Sequence, residues 1–141
     1  GCQNQYHREI GEREMKLFEV VSVSNGLRIL DGKRLPAKIN YALMKNKKAL
    51  LGELQGIQEQ RIEIMKSHAK KDDNGEPVSE NGQFIFESDA DREEATKEYA
   101  ELLNVDANID IMTVTFDDIV KCDDMEPLTT SEIEALEFMI D

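Results

Sequence analysis

The stretch LPAKINYALMKNKKALLGELQGIQEQRIEIMKSH, residues 35–68, decides the fold of this chain. Pro36 suits the first turn of a helix, where the missing N–H of proline is not needed. Apolar residues then recur every three, four or seven positions, a spacing typical of an amphipathic helix. The sequence therefore predicts one helix of about 30 residues that begins at Pro36 and ends near His68. The apolar positions are Ile39, Leu43, Leu50, Leu54, Ile57 and Ile64.

Residues 16–31, which precede this helix, fit two local structures. Asn25-Gly26 lies between two apolar runs and is a signal for a β-hairpin. The same apolar residues also fall at helical spacing, although Gly26 would cost a helix about 1 kcal/mol. We interpret the segment as a helix that ends at Asp31-Gly32, with the hairpin as the alternative. The positions at helical spacing are Val20, Val23, Leu27 and Leu30.

Two short strands are predicted in the C-terminal half of the chain. Residues 70–83 are a polar loop with two Asn-Gly turns, and they lead into a strand at residues 84–86. Residues 109–116 alternate in character and form the second strand. Pairing these two strands would satisfy the backbone of both. The sequence therefore predicts a small antiparallel β-ribbon.

Two further helices complete the predicted fold. Ser88 is a good N-cap for a helix that ends near Leu103, because the carboxylates after it favour the first turns of a helix. After an acidic linker, Thr130 caps a short last helix. The predicted fold class is α+β: one long helix and several shorter helices packed with a small antiparallel β-ribbon.

The first fourteen residues differ from the rest of the chain because they are polar and show no sustained period. Residues 11–14 can be encoded by a purine-rich stretch that resembles a bacterial ribosome-binding site. We therefore interpret Met15 as the natural start, residues 1–14 as an upstream or tag-like disordered extension, and residues 15–141 as a single α+β domain. A lipid-modified Cys2 is the alternative, but such tethers are usually longer and richer in Ser and Gly.

Charge is distributed unevenly along the 141 residues, whose net charge is -13. Residues 33–71 hold ten Lys and Arg against three Glu, whereas residues 72–141 hold three against twenty-two Asp and Glu. Complementarity within the molecule and solubility are the simplest explanation. The alternatives are a basic helix that contacts nucleic acid and an acidic half that mimics it.

Several classes of protein are excluded or disfavoured by missing patterns. The apolar runs are far shorter than the ~20 residues of a membrane span. Cys2 and Cys122 lie at opposite ends of the chain, which indicates a cytosolic protein rather than a disulfide framework. His7, His68 and the cysteines lack the spacing of zinc ligands, and no calcium loop, phosphate-binding glycine loop or nucleophile–histidine arrangement is present. We predict no catalytic residue, no cofactor and no metal, and hence not an enzyme.

Six short motifs, in this order along the chain, resemble an uncharacterised family of small proteins from phages and prophages. Its members come from Gram-positive bacteria and their tailed phages, and the similarity runs from about Met15 to the C-terminus. The resemblance implies a phage-related role in the cytoplasm of a host cell, but no activity and no functional residue. The motifs are LPAKINYALMKN (35–46), QEQR (58–61), DNG (73–75), NGQF (81–84), LT (128–129) and IEALE (133–137).

The function predicted from these observations is that of a non-enzymatic phage or prophage accessory protein, which binds another protein or acts in assembly. A homodimer that forms through the long helix is a further alternative. The alternatives are an acidic nucleic-acid mimic that inhibits a host DNA-binding protein, and a nucleic-acid binder that uses the basic helix. Overall acidity and few neighbouring aromatic residues disfavour the binder. The predicted partner-binding residues are Lys38, Tyr41, Lys45 and Lys48.

Overall fold

The computed structural model describes residues 9–120 and 126–141. It combines helices with short antiparallel β-pairs, so the predicted α+β class is confirmed. Cys2, His7 and Cys122 lie outside the described residues. The elements are β1 (Glu9–Lys16), α1 (Leu17–Gly26), a 3₁₀ helix (Leu27–Leu30), α2 (Ala37–His68), β2 (Ser79–Glu80), β3 (Gln83–Phe84), α3 (Asp89–Leu103), β4 (Asp106–Thr113), α4 (Phe116–Val120), α5 (Thr130–Leu136) and a second 3₁₀ helix (Glu137–Met139).

The chain divides into two compact units, where the sequence predicted a single domain. Unit 1 comprises Gly1–Glu53 and Asp106–Asp141, and unit 2 comprises Leu54–Val105. The helix α2 contributes its N-terminal half to unit 1 and its C-terminal half to unit 2. Any surface on α2 before residue 54 therefore belongs to unit 1.

The long helix is confirmed, and its first residue is one position later than predicted. It has 32 residues, and the carbonyl of Pro36 accepts the first backbone hydrogen bond, from Asn40 N–H at 2.9 Å. Proline can hold this position because only its carbonyl is needed there. Ile39 and Leu50 are each 1% exposed. The predicted apolar face of the helix is therefore the face that builds the core of unit 1.

The sheet of unit 1 pairs β1 with β4, antiparallel and in register along all eight residues of each strand. The sequence predicted a strand at residues 109–116 that pairs with residues 84–86. β4 instead begins three residues earlier and pairs with β1, so the predicted pairing is wrong. Local patterning identified β4 but not its partner, because strand pairing depends on contacts between distant parts of the chain.

Residues 9–14 belong to β1, so the prediction of a disordered extension is wrong for these positions. The strand was hard to recognise because it contains few apolar residues. Met15 is 5% exposed, whereas Gly11, Glu12 and Glu14 are exposed. Pairing with the more apolar β4, rather than its own pattern, makes this segment a strand. Residues 1–8 lie outside the described part of the chain.

The helical interpretation of residues 16–31 is confirmed, and the alternative hairpin is wrong. α1 ends at Gly26, and the chain continues directly as the first 3₁₀ helix. Val20, Leu27 and Leu30 are 0%, 3% and 3% exposed, so the helical spacing reflects burial in unit 1. The segment stops as predicted at Asp31-Gly32, where Gly32 has a φ of 77° that favours glycine.

The C-terminal segment of unit 1 is more helical than predicted. α4 occupies residues that the sequence assigned to an acidic linker. It forms because two side chains cap its first turn. The Thr115 N–H donates to Asp118 Oδ2, and the Asp118 N–H donates to Thr115 Oγ1, each at 3.2 Å. The cap of α5 is Thr129 rather than the predicted Thr130. The chain end then pairs with Val114, whose N–H donates to the carbonyl of Met139 at 2.9 Å.

Unit 2 contains the second half of α2, the short hairpin β2–β3 and the helix α3. Asn81 and Gly82 have φ values of 53° and 78°, as a two-residue hairpin turn requires. The predicted strand at residues 84–86 shrinks to β3, which pairs with β2. Ser88 caps α3 as predicted, because its Oγ accepts from Asp91 N–H at 3.2 Å. His68 lies 3.0 Å from a carboxylate oxygen of Glu98.

Candidate functional site

The side of α2 that faces away from the core of unit 1 carries large apolar side chains. Tyr41, Met44 and Leu51 are 44%, 41% and 52% exposed, and Lys48, which lies among them, is also exposed. At 3.6 residues per turn, these four positions fall within an arc of about 80°. We name Tyr41, Met44, Lys48 and Leu51 the α2 stripe.

The α2 stripe has the spacing of a helix–helix seam. Its positions advance by three, four and three residues, the alternation that keeps side chains on one face of a helix against a partner helix. Exposed apolar residues that cluster in this way mark interaction sites, whereas single ones need no explanation. Met44 and Leu51 were not among the partner-binding residues predicted from the sequence. The three-four spacing from Tyr41 was the signal that could have found them.

The four predicted partner-binding residues lie on one side of α2 but differ in exposure. Tyr41 and Lys48 are members of the α2 stripe, and Lys38 and Lys45 border it. Lys38 is half-buried, whereas Tyr41, Lys45 and Lys48 are exposed. The structure therefore brings the predicted residues together and adds apolar neighbours to them.

A cleft of about 380 Å³ lies beside the α2 stripe. Its α2 wall carries Lys45 and Lys48, and its other wall carries Asp110 and Met112 of β4. Two ammonium groups face a single carboxylate, so the charged groups of the walls have a net positive charge. A carboxylate that enters the cleft can accept charge-assisted hydrogen bonds from the lysines.

Asn46 fixes α2 against β4 at the same cleft. It is 1% exposed. Its Nδ2 donates to the carbonyl of Met112 at 2.8 Å, and its Oδ1 accepts from the Met112 N–H at 2.7 Å. The side-chain amide therefore satisfies both backbone groups at an edge of β4 that β1 does not cover. A polar residue on the apolar side of a helix is a signal that could have identified Asn46 from the sequence.

The start of α5 is held by a buried carboxylate. Glu132 is 7% exposed and lies 3.3 Å from the Lys33 ammonium. The pKa of the Glu132 carboxyl is lowered, first because the Thr129 backbone N–H donates to it at 2.8 Å. Burial opposes this effect, and the Lys33 ammonium adds to it. These contacts attach the first turn of α5 to the segment before α2, which is a structural role.

No group of three or more His, Cys, Asp or Glu among residues 9–120 and 126–141 is placed to hold a metal ion. None of the helices that the structure describes is both long and apolar enough to cross a membrane. The absence of a catalytic residue and of a cofactor stays a prediction from the sequence.

Comparison of the chain with known protein families, with curated proteins and with solved structures finds no match. The resemblance to phage and prophage proteins therefore stays a prediction, and no residue role comes from a relative. The α2 stripe and the cleft beside it are the observations that bear on function.

Proposed function

We propose that this chain is a non-enzymatic protein-binding or assembly factor that engages another protein through the α2 stripe. The observation that carries the proposal is the exposure of Tyr41, Met44 and Leu51 on one side of a helix whose opposite side is packed. Full burial of a large apolar side chain contributes about 1.5–3 kcal/mol. Covering the exposed parts of three such side chains would therefore contribute roughly 2–4 kcal/mol. Binding then needs further polar contacts.

The partner that fits this surface is an acidic helical segment. The three-four spacing of the α2 stripe suits packing against a helix. Lys45 and Lys48 lie beside the apolar side chains, so carboxylates on the partner would meet opposite charge. The cleft next to these lysines offers room for such a side chain.

We further propose that this binding takes place in the cytoplasm of a bacterial host and serves a phage or prophage. This setting is supported only by the resemblance of the short motifs, which begin with LPAKINYALMKN. Nucleic-acid binding through the same lysines is the competing function. It would depend on the ammonium groups and not on the apolar side chains.

Site-specific photocrosslinking tests the proposal. A photoreactive amino acid in place of Met44 would capture a protein from a bacterial extract, and mass spectrometry would identify it. The captured protein is then produced pure, and its affinity for this chain is measured by titration. We expect the variant Leu51→Asp to bind about tenfold more weakly or worse, because it places a charge in the apolar seam.

A matched control is Gln60→Asp, which makes the same charge change at another exposed position of α2. We expect its affinity to stay within about twofold of the unmodified chain. Equal affinities of both variants and the unmodified chain would show that the protein binds elsewhere. A nucleic acid that binds both variants equally, with strong salt dependence, would favour the competing function.

A further inference from the structure

A groove of about 720 Å³ lies in unit 1 between two helical walls, with β1 behind it. Four residues of each wall recur at three, four and seven positions, so these four share one face of a helical segment. Both walls extend for two turns, or about 10 Å. These residues are Glu19, Ser22, Val23 and Gly26 in the first wall and Ser131, Glu134, Ala135 and Phe138 in the second. Asn25, Ile29 and Glu137 also line the groove.

The walls of this groove are shaped for a helix. Ser22, Gly26, Ser131 and Ala135 are small, which lets another backbone approach closely. A Cβ added at Gly26 would meet nothing within 4 Å, so this part of the groove is open. Apolar lining comes from further side chains, among them Val23 and Phe138.

Carboxylates dominate the charge of the groove. Glu14, Glu19, Glu134 and Glu137 contribute to its lining. One arginine also lines it, Arg13, and its guanidinium donates to the carbonyl of Phe138. The groove therefore suits a helix with an exposed apolar seam and positive charges beside it.

The α2 stripe has this chemistry. Its apolar side chains have the spacing of a seam, its members Tyr41 and Lys48 are about 10 Å apart along the helix axis, and Lys45 borders it. We propose that the groove of one copy of this chain receives the α2 stripe of a second copy. This inference rests on the proposed function, because it names a partner for the same surface.

The contact must join copies rather than parts of one molecule. The α2 stripe and the groove both belong to unit 1, where the stripe is exposed and therefore not seated in the groove. Pairing of two stripes would oppose Lys45 and Lys48 to the same lysines, and pairing of two grooves would oppose carboxylates. The contact is therefore between unlike patches, which links copies head to tail and can continue into a ring or an open chain. Because it covers only two helical turns, the association is weak.

Charge exchange between the two patches tests this inference. The groove variant is Glu134→Lys with Glu137→Lys, and the stripe variant is Lys45→Glu with Lys48→Glu. All four side chains are exposed, so each variant should keep its circular dichroism spectrum. Self-association is measured by sedimentation equilibrium at about 0.1 M salt, where charges act over about 10 Å.

We expect the unmodified chain to associate with increasing concentration, and each variant alone to associate at least about tenfold more weakly. An equal mixture of both variants should regain association, because each groove then meets an α2 stripe of opposite charge. The matched controls change the net charge equally at exposed positions of unit 2. They are Lys70→Glu with Lys97→Glu, and Glu94→Lys with Glu101→Lys. Both should associate as the unmodified chain does.

A second variant keeps the test independent of charge. Gly26→Trp places a ring in the groove and should abolish association, while the chain keeps its fold. An unmodified chain that stays at its monomer mass of 16.1 kDa at the highest soluble concentration overturns the inference. Variants that remain monomeric when mixed overturn it as well. In either case the proposed function stands if a crosslinker at Met44 still captures another protein, and fails separately if it does not.

Discussion

The hydrogen bonds of Asn46 lead to a prediction that opposes simple hydrophobicity. Asn46 is 1% exposed on the packed side of α2, so hydrophobicity alone would favour leucine at this position. The side-chain amide, however, satisfies both the N–H and the carbonyl of Met112. The variants Asn46→Ala and Asn46→Leu both remove these bonds, and the backbone groups of Met112 cannot be replaced by apolar ones.

The magnitude follows from what happens to the two freed backbone groups. Each buried polar group that loses its partner costs about 1–3 kcal/mol. In Asn46→Ala, water can enter from the adjoining cleft of about 380 Å³ and form some of the hydrogen bonds that the Met112 backbone has lost. We expect alanine to cost roughly 2–3 kcal/mol and leucine, which excludes water, roughly 3–5 kcal/mol. A typical domain is stable by only about 5–15 kcal/mol, so both losses are large.

Urea unfolding followed by far-UV circular dichroism measures the total loss of stability. Amide hydrogen exchange followed by NMR locates it, because the Met112 N–H should lose protection in both variants. The N–H of Val114, which donates to Met139 at 2.9 Å, is the internal reference. Asn40→Ala is the matched control, since Asn40 is exposed and makes one bond of 3.3 Å. An Asn46→Leu variant as stable as the unmodified chain, or a Met112 N–H that stays protected, would contradict this prediction.

Three further predictions use contrasts within the chain. Leu50→Ala should cost about 2–5 kcal/mol in urea unfolding, whereas Leu51→Ala should stay within about 0.5 kcal/mol, because the two residues are 1% and 52% exposed. Gly52→Ala should raise the unfolding free energy by about 0.5–1 kcal/mol, since a Cβ there meets nothing within 4 Å. Gly82→Ala should lower it by about 1 kcal/mol or more, because its φ of 78° strains an L-residue. The lowered pKa of Glu132 means that its carboxylate stabilises the fold above the ordinary glutamate pKa, and that this contribution disappears as pH falls through the lowered value. Urea midpoints at neutral and acid pH should therefore differ less for Glu132→Gln than for the unmodified chain.

The helices could be predicted because their signals are local. Pro36 and the apolar spacing after it predicted the long helix, and the predicted first residue differs from the observed one by a single position. Ser88 gave the start of α3, because a cap acts on backbone groups only three residues away. The spacing of Val20, Leu27 and Leu30 outweighed the hairpin signal of Asn25-Gly26. Burial of the apolar side, rather than intrinsic turn preference, decided that segment.

The sheet could not be predicted because its decisive contacts join segments that are far apart in the chain. β1 and β4 are separated by about ninety residues, and neither strand identifies the other by its own pattern. β1 also lacks the alternation of apolar and polar residues that marks a half-buried strand. Its place in the fold depends on β4, whose Ile109 and Ile111 are 3% and 0% exposed and provide the apolar surface.

Some residues of the surface that the structure exposes on α2 were named from the sequence. Charge pointed to Lys38, Lys45 and Lys48, and the structure places them on one side of α2. The apolar members Met44 and Leu51 were not singled out, because the prediction placed the apolar residues of the helix on the side of Ile39 and Leu50 and assessed the other side by its charge. Both sides of this part of α2 carry large apolar side chains, and packing against the rest of unit 1 shows which of them are covered.

The distribution of charge is compatible with the proposed binding of an acidic partner through α2, although the protein itself is acidic. The net charge of -13 opposes the approach of such a partner, but at physiological ionic strength this repulsion extends only about 8 Å. In the proposed contact, Lys45 and Lys48 would be nearest to the partner and would outweigh the more distant carboxylates, because charge interactions grow as distance shrinks. A partner with carboxylates but no apolar seam would be repelled by the net negative charge, and it would not bury Tyr41, Met44 and Leu51 in return. A partner with a seam but no carboxylates would leave the lysines without charge partners, so selectivity follows from requiring both features together.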